Sequence, residues 1–322
     1  MSEDINEVKI KINLSEEYIQ LGLANIPHYY KRPQLFTCDK TTIIIPAKTL
    51  ININNKGYRT KYSTSLDVST IANRAGKDIY IYAVATSSTI PDFVLSLNST
   101  VPDGYTDVTS RKIGGFHCLC ENVGEIENHP LSGFKAGDIL PASIWDLQHR
   151  PTSSPEGMLY SHGKWFDIYL SSFNGEKLVS EFNGATITGI SELTMNADQL
   201  VELLAQVGKR LPTRDEFIVA AQGSNNGTVA NSSALVPTTG GHKDKDGRRM
   251  ISYNGLEDCC GVYWQYTGDL YPQDGILYRC LVGGSGYSNE KAGIYSISTA
   301  SCTAVYATNT VRGCADSLVV NI

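Results

Sequence analysis

The sequence predicts an α+β protein in which a smaller all-β part, residues 1–110, precedes a larger part, residues 111–322, that carries two helices and then short, loop-linked strands. Three observations predict it. The first third alternates apolar and polar residues in the strand period, two capped helical periods lie between Asn196 and Gly223, and no long helical period returns after them. A chain of 322 residues exceeds the usual size of one domain, so two are expected. Hydrophobic residues make up 41% and charged ones 19%, which places the chain among globular proteins with real cores and away from disordered ones.

In the first part, Lys9–Leu14 and Thr41–Pro46 read as strands. Asn54-Asn55-Lys56-Gly57 reads as the turn between Leu50–Ile53 and Tyr58–Thr60, with the glycine tolerating positive φ at its end. Asp78–Val84 and Phe93–Leu97 form the next pair, and a polar, turn-rich stretch around Thr109 leads into the apolar strand Ile113–Cys120, where the boundary is placed. In the second part Asn196 is an N-cap, Leu200, Leu203, Leu204 and Val207 share one helix face, and Gly208 stops it. Thr213-Arg214-Asp215-Glu216 is a capping box, followed by Phe217, Ala220 and Ala221 on a buried side and Gly223 at the end.

The net charge of −6, with no basic cluster, leaves no electrostatic footprint for nucleic acid. No apolar stretch is long enough for a membrane helix, and Met1–Asn13 is acidic where a signal peptide would be basic and apolar. The cysteines lack CxxC zinc spacing and read as reduced and structural, Cys118 and Cys120 sharing one apolar pocket on a strand face. His117 precedes them, but alternation puts it on the opposite face, so no metal is expected there. Gly240–Gly247 lacks the spacing of a calcium loop and reads as a turn; Gly283–Gly286 opens no helix and reads as backbone turns, not a phosphate loop. Ser161, His162 and Asp167 are sequence neighbours without a nucleophile elbow. No cofactor is implied.

Three segments in order resemble the formylglycine-generating-enzyme branch of the C-type lectin fold: Arg210–Phe217, Gly255–Tyr266, and Arg279–Ser285 followed by Val311–Asp316. The resemblance implies a C-terminal C-type lectin fold over about residues 111–322. Where those enzymes carry their active cysteine pair, this chain has Ser288 and Gly293, which cannot bind soft Cu(I). The chain is more similar to the variable proteins of diversity-generating retroelements, a family that includes phage receptor-binding major tropism determinants. Val262-Tyr263-Trp264-Gln265-Tyr266, Asn73–Tyr82, Arg111–Cys118 and Gly137–Leu147 carry that similarity from about residue 40 onward.

In that family a reverse transcriptase varies adenine-containing codons, which the resemblance implies can yield any residue except Met, Trp, Gln, Glu and Lys. Between Ser285 and Thr310 only Glu290 and Lys291 fall outside that set. The stretch also has the Tyr, Ser, Gly and Asn vocabulary of antibody loops, in which tyrosine gives contact area at low entropic cost and short polar groups adapt their hydrogen bonds. The candidate ligand surface is therefore Ser285, Tyr287, Ser288 and Glu290, then Ile294, Tyr295, Ser296, Ser298 and Thr299, then Ser301, Thr303, Tyr306, Thr308 and Asn309. Ala292, Gly293, Ile297 and Val305 are expected to hold the scaffold, with Trp264 and Arg312 as framework and Trp264 in the core.

These readings imply a binding protein and not an enzyme, a tropism determinant of a phage or virus, associated with the virion or displayed at a cell surface. Its partner would be a host or environmental macromolecule, protein or glycan, with no nucleic acid and no membrane insertion. A homo-oligomer is left open, and several copies on one particle would add avidity. Two alternatives stand beside it: a structural virion or surface protein of fixed specificity, and an oxidase of the sulfatase-modifying type on the same fold.

Overall fold

The computed structural model describes residues 36–187, 195–231 and 235–318; the strand expected at Lys9–Leu14 lies outside the described residues. The described chain is mostly β, with two α-helices.

The first nine strands are β1 (Thr37–Cys38), β2 (Thr42–Ile45), β3 (Leu50–Ile53), β4 (Lys56–Arg59), β5 (Thr64–Asp67), β6 (Asp78–Val84), β7 (Asp92–Ser96), β8 (Ser110–His117) and β9 (Trp145–Asp146). They form a three-stranded sheet β1-β2-β5, the hairpin β3-β4, and a four-stranded sheet β7-β6-β8-β9. The hairpin turns on Asn54 and Asn55, whose φ values of 46° and 64° are those of a two-residue primed turn. Gly57, expected at positive φ, instead sits inside β4 opposite Asn52; paired asparagines already provide the left-handed positions.

The boundary expected near residue 110 falls at the start of β8, and β8 pairs with β6 along its length, from Asp78↔His117 to Val84↔Ser110. The N-terminal sheet therefore continues through β8 to β9. Both faces of β6 are buried: Ile79, Ile81 and Ala83 join the core formed with Phe36, Ile43 and Phe116. Tyr80 and Tyr82 pack with Trp145 against Met158, Trp165 and Ala315 of the C-terminal part. A strand buried on both sides ties the two parts together.

Between the parts, Asp78 Oδ1 lies 3.0 Å from His117 Nδ1, and His117 Nε2 lies 2.9 Å from the Tyr169 hydroxyl. Both ring nitrogens of His117 are thus engaged by protein groups. The cysteines that follow do not share a pocket as expected: Cys118 packs in the N-terminal core and Cys120 in the main C-terminal one, because β8 ends at His117 and the period-2 rule ends with it. All eight cysteines are free thiols.

The C-terminal part opens with β10 (Met158–Ser161), β11 (Lys164–Asp167), β12 (Ser172–Phe173) and β13 (Leu178–Val179). Helix α1 (Ala197–Gln206) follows, with Asn196 and Gln199 forming a reciprocal capping box, and buries Ala197, Leu200 and Leu204. Helix α2 (Arg214–Ala220) starts at the Thr213/Glu216 capping box and buries Phe217 and Ala220. The last strands are β14 (Trp264–Gln273), β15 (Ile276–Gly283), β16 (Gly293–Ser301), β17 (Asn309–Thr310) and β18 (Cys314–Asp316). Four of them make the sheet β16-β15-β14-β17, and β18 joins β10-β11. Phe217, Leu256, Cys259, Cys280 and Val282 fill the core that holds this sheet against α2.

Candidate ligand-binding surface

Strand β16 is the edge of its sheet, and its register is broken. Ser298 faces Leu281 and Ile297 faces Val282, but the next pair is Gly293 with Gly283. Ile294, Tyr295 and Ser296 have no counterparts on β15, so the strand bulges, and a bulge re-aims the side chains it carries. Tyr295 is 66% exposed as a result. The bulge is held by its flanks: the Ser296 hydroxyl donates to the Lys291 carbonyl, and Gly227 N–H donates to the Ala292 carbonyl at 2.8 Å.

The turn before it is built from glycine. Gly283 and Gly284 have φ of 88° and 81°, and a Cβ on Gly283 would collide with the Cys259 carbonyl. Both glycine carbonyls accept from the Gly261 N–H, at 3.2 and 3.1 Å, which staples the turn to the loop before β14. Beyond the turn the Ser285 N–H donates to Ser288 Oγ at 2.9 Å, and Tyr287 leaves the bend 62% exposed.

Below this surface Arg312 is only 1% exposed, yet it is fully engaged. Its Nε donates to Gln265 Oε1 at 3.0 Å, and Nη1 donates to the carbonyls of Asp167 and Ile168, both at 2.7 Å. Nη2 donates to the Glu257 carbonyl. Gln265 passes the connection on, donating to the Cys259 carbonyl at 2.8 Å. This arrangement locks β14 to the Glu257–Cys260 loop and to the chain after β11. It is the framework role expected of Arg312.

A second support is buried beside it. Glu257 accepts from Arg249 Nη2 at 2.7 Å; burial pushes the Glu257 carboxyl up against the pull of that guanidinium. Asp258 Oδ2 lies 2.9 Å from His242 Nδ1 and accepts from the Gly240 N–H at 2.7 Å. These contacts fix the Gly240–Gly247 segment as a turn closed on Asp244, whose Oδ1 accepts from Asp246 and Arg248 N–H groups at 3.0 and 2.9 Å. From this turn Lys245 reaches Asn289 Oδ1 at 3.3 Å, beside the exposed surface.

The surface holds a concavity of about 510 Å³ lined by Trp264, Tyr287 to Lys291, and Ser296 to Ser298. It brings together five of the expected residues: Tyr287, Ser288, Glu290, Ser296 and Ser298. Tyr295, Thr299, Thr303 and Tyr306 are exposed outside it, and Ile294, Ser301 and Thr308 are half-buried.

Two expected contacts are not on the surface. Ser285 is 2% exposed and shapes the bend; Asn309 is 4% exposed, its Nδ2 donating to the Tyr266 hydroxyl at 3.1 Å in the parallel pairing of β17 with β14. Conversely Ile297 and Val305, expected in the scaffold, are 51% and 45% exposed. Ala292 and Gly293 are buried, as expected. Trp264, expected in the core, is half-buried: it packs against the cluster of Leu204, Tyr266 and Val311 and also lines the concavity. Its neighbours Tyr263 and Gln265 are both buried, so an apolar run concealed that Trp264 starts the strand at the margin of the surface. Asn289, Lys291 and Ile297 were also missed. Ile297 stands midway between Tyr295 and Thr299, both exposed, and strand alternation from those two expected contacts is the signal that puts it on the same face.

Comparison with known proteins finds likenesses in sequence and in fold. Residues 33–146 match the family model described as the Mtd second domain, which ends at the end of β9. The tail fiber receptor-binding protein of Bordetella phage BPP-1 is 29% identical over 280 residues, covering 79% of this chain and 70% of that protein. Among solved structures, the major tropism determinant I1 variant superposes with a TM-score of 0.76 at 24% identity, over 91% of this chain and 86% of that one. The P3c variant gives a TM-score of 0.77 at 23% identity over the same shares of each chain. The chain thus resembles a tail fiber receptor-binding protein over most of its length, matches the Mtd second-domain model over residues 33–146, and shares the fold of the major tropism determinants.

Proposed function

We propose that the chain is a phage receptor-binding protein, a binding protein and not an enzyme, that recognises a host surface macromolecule through the face carried by β16 and the bends on either side of it. The observation that carries the reading is the bulge at Ile294–Ser296, which turns the edge strand outward and presents Tyr295 beside the Tyr287 bend and its concavity. Its setting supports the same reading: the fold is shared with tropism determinants, and the sequence relative is a tail fiber receptor-binding protein. A virion position, at a tail structure, follows from the same likeness. In this reading a smaller all-β unit precedes the lectin unit and ends near Asp146, where β9 completes its sheet.

The reading extends to diversification. Exposed positions such as Tyr287, Tyr295, Ser298, Thr299, Thr303 and Tyr306 are free to vary, whereas Ser285, Ala292, Gly293, Asn309 and Thr310 are buried and carry the bend, the bulge and β17. The purified full chain should adsorb to cells that its phage infects and, in excess, slow adsorption of that phage. A chain that folds but neither adsorbs nor competes contradicts the proposal.

A further inference from the structure

Trp264 and Tyr287 face one concavity whose remaining walls, Ile297 apart, are polar, and the chemistry of that combination goes further than a general binding face. We propose that this concavity takes a neutral hexopyranose ring of a surface glycan, stacked against Trp264, with Glu290 and Lys291 meeting its hydroxyls; the proposal rests on the reading that this surface is the receptor site.

The argument starts from what is unpaired. Among the described residues, no hydrogen bond or ion pair engages the carboxylate of Glu290, the ammonium of Lys291 or the hydroxyl of Ser298, and Glu290 and Lys291 are exposed. Groups held at the wall of a concavity without protein partners are those that a ligand can meet without displacing protein contacts. Their kinds match a sugar. A carboxylate accepts from two neighbouring hydroxyls, an ammonium donates to a hydroxyl oxygen, and serine does both. An apolar ligand would leave all of them desolvated and unpaired, at a cost.

The aromatic walls supply the other half. A pyranose has a C–H face and a hydroxyl rim, and an aromatic ring offers it a flat apolar partner that carries negative charge on its face. Trp264 is suited to this because it is fixed from below, packed against the cluster of Leu204, Tyr266 and Val311, while part of its indole remains at the concavity. A pre-placed ring loses little freedom on binding. Tyr287, 62% exposed, stands at the same concavity. The volume of about 510 Å³ lies within the range of small-molecule sites and suits one or two sugar units.

An extended peptide added to the edge of the sheet fits less well. Strand addition needs a regular ladder, and β16 loses register over Ile294–Ser296, beside the concavity. A cation bridge to the sugar has no ligand set here either, since Glu290 is the one carboxylate lining the site.

The test uses the full chain and the methyl glycosides of glucose, galactose, mannose and N-acetylglucosamine. The chain has 3 tryptophans, and Trp145 and Trp165 are buried, so a sugar-dependent change in tryptophan emission reports Trp264. We expect at least one glycoside to change that emission and to show saturation transfer to its ring C–H protons, with no effect of EDTA. Trp264→Ala should weaken the response at least tenfold and Glu290→Gln about fivefold. Should Trp264→Ala fail to fold, Trp264→Phe and Glu290→Gln decide. Silence from all four glycosides, or binding that Glu290→Gln and the Trp264 variant leave unchanged, overturns the proposal. If the chain adsorbs to host cells yet ignores the glycosides, the glycan proposal falls and the receptor reading stands; glycoside binding without cell adsorption does the reverse.

Discussion

Ser285 and Tyr287 stand two residues apart and have opposite fates, the first 2% exposed inside the bend and the second 62% exposed above it. Residue type does not separate them, because serine suits turns and contact surfaces alike. Arg312 is decided by its partners. A buried guanidinium that donates to three carbonyls and one amide oxygen is stabilising only while all are met, and its removal leaves buried acceptors unsatisfied. Arg312→Ala should therefore cost more than about 3 kcal/mol by chemical unfolding, whereas Tyr295→Ala should change stability by less than about 0.5 kcal/mol. His242 sets a pH dependence. Burial pulls its imidazole down, but the charge and hydrogen bond of Asp258 outweigh that and leave it above its ordinary 6.5. A group raised on folding contributes fully below its unfolded pKa and loses that contribution as pH rises through the folded one. Stability should thus fall as pH climbs above 6.5, and His242→Gln should flatten that part of the curve.

Elements with local causes were legible in the sequence. The N-cap read at Asn196 and the capping box read at Thr213 both appear, with Gln199 completing a box at Asn196 as well, because the signal and the hydrogen bonds it makes lie within four residues of each other. Thr213→Ala should cost about 1 kcal/mol in thermal or chemical unfolding, since Glu216 N–H loses its cap. The strand Asp78–Val84 was equally plain, and its neighbour β8 was recognised as a strand but expected in the following part. Pairing across the intervening loop is a long-range fact, invisible to periodicity. The bulge in β16 belongs to the same class: alternation describes Gly293–Ser301 as a strand, and only the positions of Gly283 and Val282 on β15 reveal the slip. The expected contacts that proved buried have separate local causes: Ser285 is taken into the bend and Asn309 into the pairing of β17 with β14.

At the scale of the whole molecule, the motifs of the C-terminal part proved to be structural joints. Gly255–Tyr266 supplies Glu257, Asp258 and Gln265, which tie the Gly240–Gly247 turn, β14 and Arg312 together beneath the surface. The N-terminal sheet buttresses this framework through Tyr80, Tyr82 and the Asp78–His117–Tyr169 hydrogen bonds. A rigid base of this kind holds one edge strand and its bends in place, as the receptor-binding reading proposed for that surface requires. The resemblance found in the sequence pointed to this surface; its concavity, with Trp264 at the wall, needed three dimensions. The measurement that tests the central claim most directly is adsorption of labelled full chain to host cells by three proteins of equal thermal stability. These are the unaltered chain, the double variant Tyr287→Ala with Tyr295→Ala, and Tyr271→Ala, whose tyrosine is 44% exposed on the same sheet but beyond the concavity. The double variant should lose at least tenfold in apparent affinity, and Tyr271→Ala should stay within about twofold of the unaltered chain. Unchanged adsorption by the double variant, or an equal loss in Tyr271→Ala, would contradict the account.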